Sequence, residues 1–161
     1  MLKVVLDTNV FVSSLLVKAG LPARLLNAWR ERQYVLVTSP AIIAEICATM
    51  SYPRIRRKYA ISDEDLEQLV TLLRQDALLV PGQADVAGVI PHDPADEMTL
   101  ACALDAQADL IVSGDRHLLD LGAYRGIPIL TARAFLERLA GAERGRTKNF
   151  SLAQSDLRST L

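Results

Sequence analysis

Two acids end short apolar runs: Asp7 follows Val4-Val5-Leu6, and Asp115 follows Leu110-Ile111-Val112-Ser113-Gly114. Glu45, Asp93, Asp96 and Glu97 lie in helical patterns between those runs. In an open α/β sheet the C-terminal ends of the strands form the ligand-binding edge, so acids at two such ends point to one shared hollow. Two carboxylates about 4 Å apart at an effective dielectric near 20 repel by roughly 4 kcal/mol before screening. Several in one pocket therefore require a cation or shared protons. An oxygen-only ligand set, without a cysteine or a histidine cluster, favours Mg²⁺ or Mn²⁺ over Zn²⁺. Such a site can activate a water and stabilise charge developing on a phosphodiester.

Each acid also has a plainer use. Asp7 can cap the helix that starts near Asn9. Asp115 follows glycine, as in many turns. Asp93-Pro94-Ala95-Asp96 resembles a capping box, an N-cap acid followed three residues later by another. Glu45 lies at the edge of an apolar helix face, where glutamates are often simply solvated. His92 and His117 read first as solvated or capping side chains. Arg116, beside Asp115, is either a surface residue or a phosphate contact.

The elements that must position these acids alternate between strand and helix. Apolar runs at residues 2–6, 34–38, 77–80 and 109–113 predict strands, and a fifth at 127–130 carries Pro128, which suggests a sheet edge. Helical spacing predicts helices over residues 9–18, from Pro22 through Trp29, from Pro40 to near Tyr52, from Ser62 onward, and from Asp93 onward. A helical turn is expected at 116–121 and a last helix from Thr131 to about Leu139. Residues 81–92 read as a connector with extended structure at 86–90. Alternation of this kind predicts an α/β fold with a parallel sheet covered by helices on both faces.

The 161 residues suit one domain at 1–140, followed by a flexible C-terminal tail or interaction arm at 141–161. Half the residues are apolar, enough for a core without staples, and no apolar stretch approaches the roughly 20 residues that span a bilayer. No signal-peptide layout is visible at the N-terminus, so the chain reads as soluble and cytoplasmic. Cys47 and Cys102 sit among apolar neighbours and read as small core residues. The net charge of −1 does not select a partner, but Arg54, Arg56, Arg57 and Lys58 form a local basic group. It is either a solvated surface or a phosphate-backbone contact. A second basic group lies at Arg144, Arg146 and Lys148.

Taken in order, Val4-Val5-Leu6-Asp7-Thr8-Asn9, the Ser39-Pro40 helix with Glu45, Asp93-Pro94-Ala95-Asp96, and Ala108-Asp109-Leu110-Ile111-Val112-Ser113-Gly114-Asp115-Arg116-His117 resemble the PIN-domain family. Within it the chain is similar to the prokaryotic VapC-like branch, the endoribonucleases of toxin–antitoxin pairs. The resemblance spans roughly residues 2–139. It implies a Rossmann-like three-layer α/β/α fold with a parallel sheet of about five strands, metal-dependent cleavage of single-stranded RNA, homodimerisation, and neutralisation by a small antitoxin. Position by position, Asp7, Glu45, Asp96 and Asp115 match the family's acids. Asp93 is then accessory and Glu97 the reserve for Asp96. Thr8, Asn9 and Ser113 match polar positions that orient carboxylates and water. Ala95 stands where a further acid often occurs, leaving one negative charge fewer.

Two other readings have specific tests. A haloacid-dehalogenase-like, Mg-dependent phosphatase also places an aspartate after strand one, but wants a second two residues on, where this chain has Asn9. A non-catalytic PIN-like module that holds RNA or a protein would lack millimolar or tighter Mn²⁺ binding.

Overall fold

The computed structural model describes residues 1–88 and 93–159, the last helix beyond residue 145 by its backbone alone. His92 and the end of the extended segment expected at 86–90 lie outside the described residues. Strand β1 (Lys3–Leu6) leads into α1 (Thr8–Leu16) and α2 (Gly20–Arg30). Strand β2 (Val35–Thr38) is followed by α3 (Pro40–Met50), α4 (Pro53–Tyr59) and α5 (Asp63–Asp76). Then come β3 (Leu78–Leu79), α6 (Pro94–Ala106), β4 (Leu110–Val112), α7 (Arg116–Leu121), β5 (Ala123–Tyr124), β6 (Ile127–Leu130) and α8 (Ala132–Ser159).

The strands form one six-stranded sheet in the order β3-β2-β1-β4-β6-β5, flanked by helices as a three-layer α/β/α fold. All neighbouring pairs are parallel except β5 with β6. The central strands are apolar on both faces because both are covered: Val4, Val5, Leu110, Ile111 and Val112 are fully buried. After β3 the chain crosses back to the other side of β1 to build β4. The topological switch point therefore falls between β1 and β4, whose C-terminal ends carry Asp7 and Asp115.

Local chemistry explains the helix starts nearest this edge. Ser39 Oγ accepts the Ile42 N–H, and Pro40 occupies the first position of α3, where no N–H is needed. Asp93 and Pro94 repeat the device at α6. The packing of α3 against α1, α5 and α6, and of α6 against β1, β2 and β4, holds these starts over the switch point.

The structure departs from the expectation in four places. A hairpin adds β5, turned by Arg125 and Gly126, both at positive φ as a two-residue turn demands. Pro128 consequently does not mark the sheet's edge: β6 lies between β4 and β5, and the ladder passes the proline by, with Ile129 N–H donating to the Gly122 carbonyl. Pro53 does not merely end α3 but opens α4, because its fixed φ suits a first helical residue. Finally, α8 continues past Leu139 to Ser159, since no proline interrupts a segment rich in helix-forming residues.

Candidate metal centre

Asp7 stands at the N-cap position of α1, yet its side chain makes no capping bond. Its own N–H continues the sheet, donating to the Val112 carbonyl at 2.9 Å. The carboxylate, only 4% exposed, accepts instead from Ser113 Oγ through Oδ2 at 2.8 Å. Ser113 Oγ in turn accepts the Asp115 N–H at 2.9 Å. One buried hydroxyl thus fixes the loops after β1 and β4 relative to each other.

Asp93 and Asp115 do cap helices. Asp93 Oδ1 accepts from the N–H groups of Ala95 and Asp96, and Asp115 Oδ1 from those of His117 and Leu118. Capping uses one oxygen of each, so it coexists with a ligand role for the carboxylate. Ligand atoms of Asp93, Asp96 and Asp115 all lie within 4.8 Å of one another. Asp96 is 2% exposed, and its Oδ2 is buried without a hydrogen-bond partner. A buried, unpartnered carboxylate oxygen facing other acids is the arrangement a bound cation would satisfy.

The electrostatics agree. Burial pushes the Asp96 carboxyl up to about 7, helped by a hydrogen bond with Asp93 and by the charges of Asp115, Asp93 and Asp7. Asp7 is also raised, by burial first, with Asp115 and Asp93 adding to it and the Ser113 hydrogen bond opposing it. Asp7 therefore belongs to the same electrostatic group as the three clustered acids. A divalent cation would return these groups to their charged form.

The remaining candidates spread around this group. Glu45 is half-buried on α3. It is not among the clustered ligands, nor among the charges acting on Asp7 or Asp96. Glu97 lies one residue beyond Asp96 and accepts from the Gly88 N–H at 3.4 Å. Thr8 is buried, and its backbone N–H favours the Asp7 carboxylate. Asn9, Arg116 and His117 are exposed at the rim. In the basic group Arg54, Arg57 and Lys58 are exposed, while Arg56 pairs with Asp63. Burial raises both thiols, Cys102 to about 12, which keeps them protonated and unreactive.

One feature of the site escapes the sequence. A cleft of about 450 Å³ runs from Asp115 and Gly114 past Asn9, Val10 and Ser13 of α1 to Leu25 of α2. Its apolar members carry an ordinary core pattern, so their spacing does not mark them as lining a cleft.

Fold and site together define an α/β domain whose ligand edge is a group of convergent carboxylates at the switch point. The chain matches the PIN domain over residues 3–117 and belongs to that family. It is 29% identical over 120 residues to MJ1680, an uncharacterized protein of Methanocaldococcus jannaschii, covering 74% of this chain and 75% of that one. Its fold is similar to a chain in the crystal structure of VapBC2 from Rickettsia felis bound to a DNA fragment from their promoter. There the TM-score is 0.54 at 11% identity, with 79% of this chain and 96% of the other covered. Among the described residues no single helix is long and apolar enough to cross a membrane.

Proposed function

We propose that the protein is a Mg²⁺- or Mn²⁺-dependent endoribonuclease acting on single-stranded RNA, the toxin of a toxin–antitoxin pair. The observation that carries this reading is the convergence of Asp93, Asp96 and Asp115, with Asp7 in electrostatic contact and Asp96 Oδ2 unpartnered. Membership of a family whose members are generally nucleases supports it. The fold likeness to VapBC2 supports a small antitoxin as partner. The homodimer rests on the resemblance alone.

Asp7, Asp96 and Asp115 would hold the metal, with Asp93 at the same cluster and Glu45 on the flanking helix. A divalent cation held there would supply positive charge beside the scissile phosphate and would lower the pKa of a nearby water. The chain's own groups do the positioning. Ser113 holds Asp7 and the Asp115 backbone in fixed relation, so their carboxylates need no reorganisation. The Asp115 cap pins the start of α7, placing Arg116 at the rim where a phosphate oxygen would meet it. The apolar cleft beside Asp115 gives the substrate strand or an antitoxin segment somewhere to lie.

The test is cleavage of a labelled single-stranded RNA by purified protein with Mg²⁺ or Mn²⁺, alongside calorimetric titration with Mn²⁺ in the absence of RNA. Wild-type protein should bind Mn²⁺ and cleave, and Asp7→Asn should lose the cleavage. Unchanged cleavage by Asp7→Asn, free of host nuclease, would remove Asp7 from the mechanism. Absence of millimolar Mn²⁺ binding would favour a non-catalytic module.

A further inference from the structure

Helix α4 is strongly basic and exposed. Between Ile46 and Ser62 the chain carries Arg54, Arg56, Arg57 and Lys58 and not one acid. No residue of α4 is buried. Two tyrosines stand at its ends: Tyr52 at the N-cap position, 61% exposed, and Tyr59 in the last turn, 38% exposed. A tyrosine so exposed contributes little to a core, so neither the one before this seven-residue helix nor the one that ends it is required by folding.

The cations divide into two kinds. Arg56 is committed to the fold: its guanidinium pairs with Asp63 at the start of α5, and its Nε is buried. Arg54, Arg57 and Lys58 have the i, i+3, i+4 spacing of one helix face. Arg57 Nε donates to the Pro53 carbonyl, which steadies its stem beside the helix backbone. Lys58 Nζ lies 5.3 Å from the centroid of the Tyr59 ring, so cation and aromatic face form one composite surface. Exposed aromatic rings beside cations that make no ion pair among the described residues are the elements of a single-stranded nucleic-acid platform. The rings stack on bases regardless of sequence, and the cations follow the phosphates.

We infer that α4 and its flanks bind single-stranded RNA, with Tyr52 and Tyr59 stacking on bases, Arg54, Arg57 and Lys58 meeting phosphates, and Arg56 serving only to hold the helix. The inference rests on the RNA-directed reading above and adds the surface that captures the strand. A lipid surface would use the same cations but bury the rings among acyl chains. A base-stacking site is favoured because Pro53 is the one exposed aliphatic side chain within α4, a small one for insertion among acyl chains, while Ile55 is half-buried.

The experiment measures fluorescence anisotropy of a labelled single-stranded RNA with full-length protein in EDTA, so that no cleavage contributes. The variants are Tyr52→Ala, Tyr59→Ala, Tyr59→Phe, Arg54→Gln and Arg56→Gln. Base–aromatic stacking at its usual strength predicts a loss of about 5-fold to 100-fold for either alanine variant, and near wild-type affinity for Tyr59→Phe. Arg54→Gln should reduce the slope of log affinity against log salt by about 0.7, the single-strand value for one phosphate contact. Arg56→Gln should lower the melting temperature without changing that slope. Each alanine variant is checked for an unchanged melting temperature, which separates lost stacking from lost structure.

Wild-type protein that does not bind RNA in EDTA, or alanine variants that bind like wild type, overturn the inference. Loss of binding to phosphatidylserine vesicles in the alanine variants, with RNA affinity unchanged, assigns the patch to a lipid surface and likewise overturns it. Intact stacking behaviour in a protein that cleaves nothing with Mg²⁺ or Mn²⁺ leaves this surface standing and removes the nuclease reading instead.

Discussion

Ser113 Oγ donates to Asp7 Oδ2 at 2.8 Å across 106 positions of sequence, joining the ends of the two central strands through a hydroxyl that is 1% exposed. The same oxygen accepts the Asp115 N–H, so the pair of acids at the switch point is set by one side chain. Ser113→Ala should weaken Mn²⁺ binding by about 10-fold to 100-fold, the usual cost of losing a group that orients a metal ligand. It should also lower stability by about 1–2 kcal/mol, because the Asp115 N–H loses its acceptor. Ser113→Thr keeps the hydroxyl and should recover most of the affinity. Calorimetry on the three proteins decides the matter: an unaltered Mn²⁺ constant in Ser113→Ala would mean that Asp7 is positioned by other contacts.

Asp96 makes the metal-free protein sensitive to base. Its carboxyl is raised from 3.8 to about 7 in the folded chain, chiefly by burial. Between those values the unfolded chain ionises while the folded one stays protonated, so stability falls as pH rises through this window and the loss is complete above about 7. Asp96→Asn removes that titration. In EDTA the variant should therefore gain on wild type as pH rises from 5 to 8, by about 1–2 kcal/mol or about 3–6 °C in melting temperature. Mn²⁺ binds the ionised form, so it should stabilise wild type more at pH 8 than at pH 6 and leave Asp96→Asn almost unmoved. A gap between the two proteins that stays constant with pH would sink this account.

The acids can be ranked by replacement. Asp96→Asn alters one of the three clustered carboxylates, whereas Glu45, on α3, is not among them. Glu45→Gln should cost about 10-fold or less in Mn²⁺ affinity, the lower end for a group outside the ligand set, and Asp96→Asn or Asp115→Asn clearly more. Titration of the three proteins under one set of conditions gives the order. Equal losses for Glu45→Gln and Asp96→Asn would make Glu45 a ligand in its own right.

Much of this was legible in the residues, for physical reasons. The central strands announce themselves because a strand buried on both faces must be apolar throughout, as Val4-Val5-Leu6 and Leu110-Ile111-Val112 are. Acids placed just beyond such runs lie along one edge of a parallel sheet, and the strand order that sets β1 beside β4 brings Asp7 and Asp115 near each other. Asp93 and Asp96 were harder, since a capping box and a metal ligand pair have the same sequence, and the Asp93 carboxylate in fact both caps and joins the cluster. The hairpin at β5 leaves no mark in the sequence, because two residues give no periodicity and its Arg125-Gly126 turn lacks the usual asparagine or aspartate. Helix α4 is hidden in the sequence because a proline such as Pro53 suits both the stop of one helix and the start of the next. Whether Glu45 turns toward the cluster depends on how α3 is rotated against α1 and α6, which packing decides and spacing does not.

A last prediction concerns the frame that supports the site. Gly82 has a φ of +67°, and a Cβ added there would lie 2.7 Å from Ser39 Cβ and 3.0 Å from Ser39 Oγ. Ser39 is fully buried and caps α3, so it has no room to yield without loosening the Ile42 bond. Gly122 offers the control: its φ is +69°, but nothing lies within 4 Å of an added Cβ. Gly122→Ala should show the backbone penalty alone, about 1–2 kcal/mol. Gly82→Ala should add the clash and the weakened cap, for a total of about 2–4 kcal/mol. In thermal melts that is a drop of about 5–12 °C against about 2–6 °C for the control. Equal drops in the two variants would mean that Ser39 moves aside freely, and that the start of α3 is not held where the close approach of Gly82 implies.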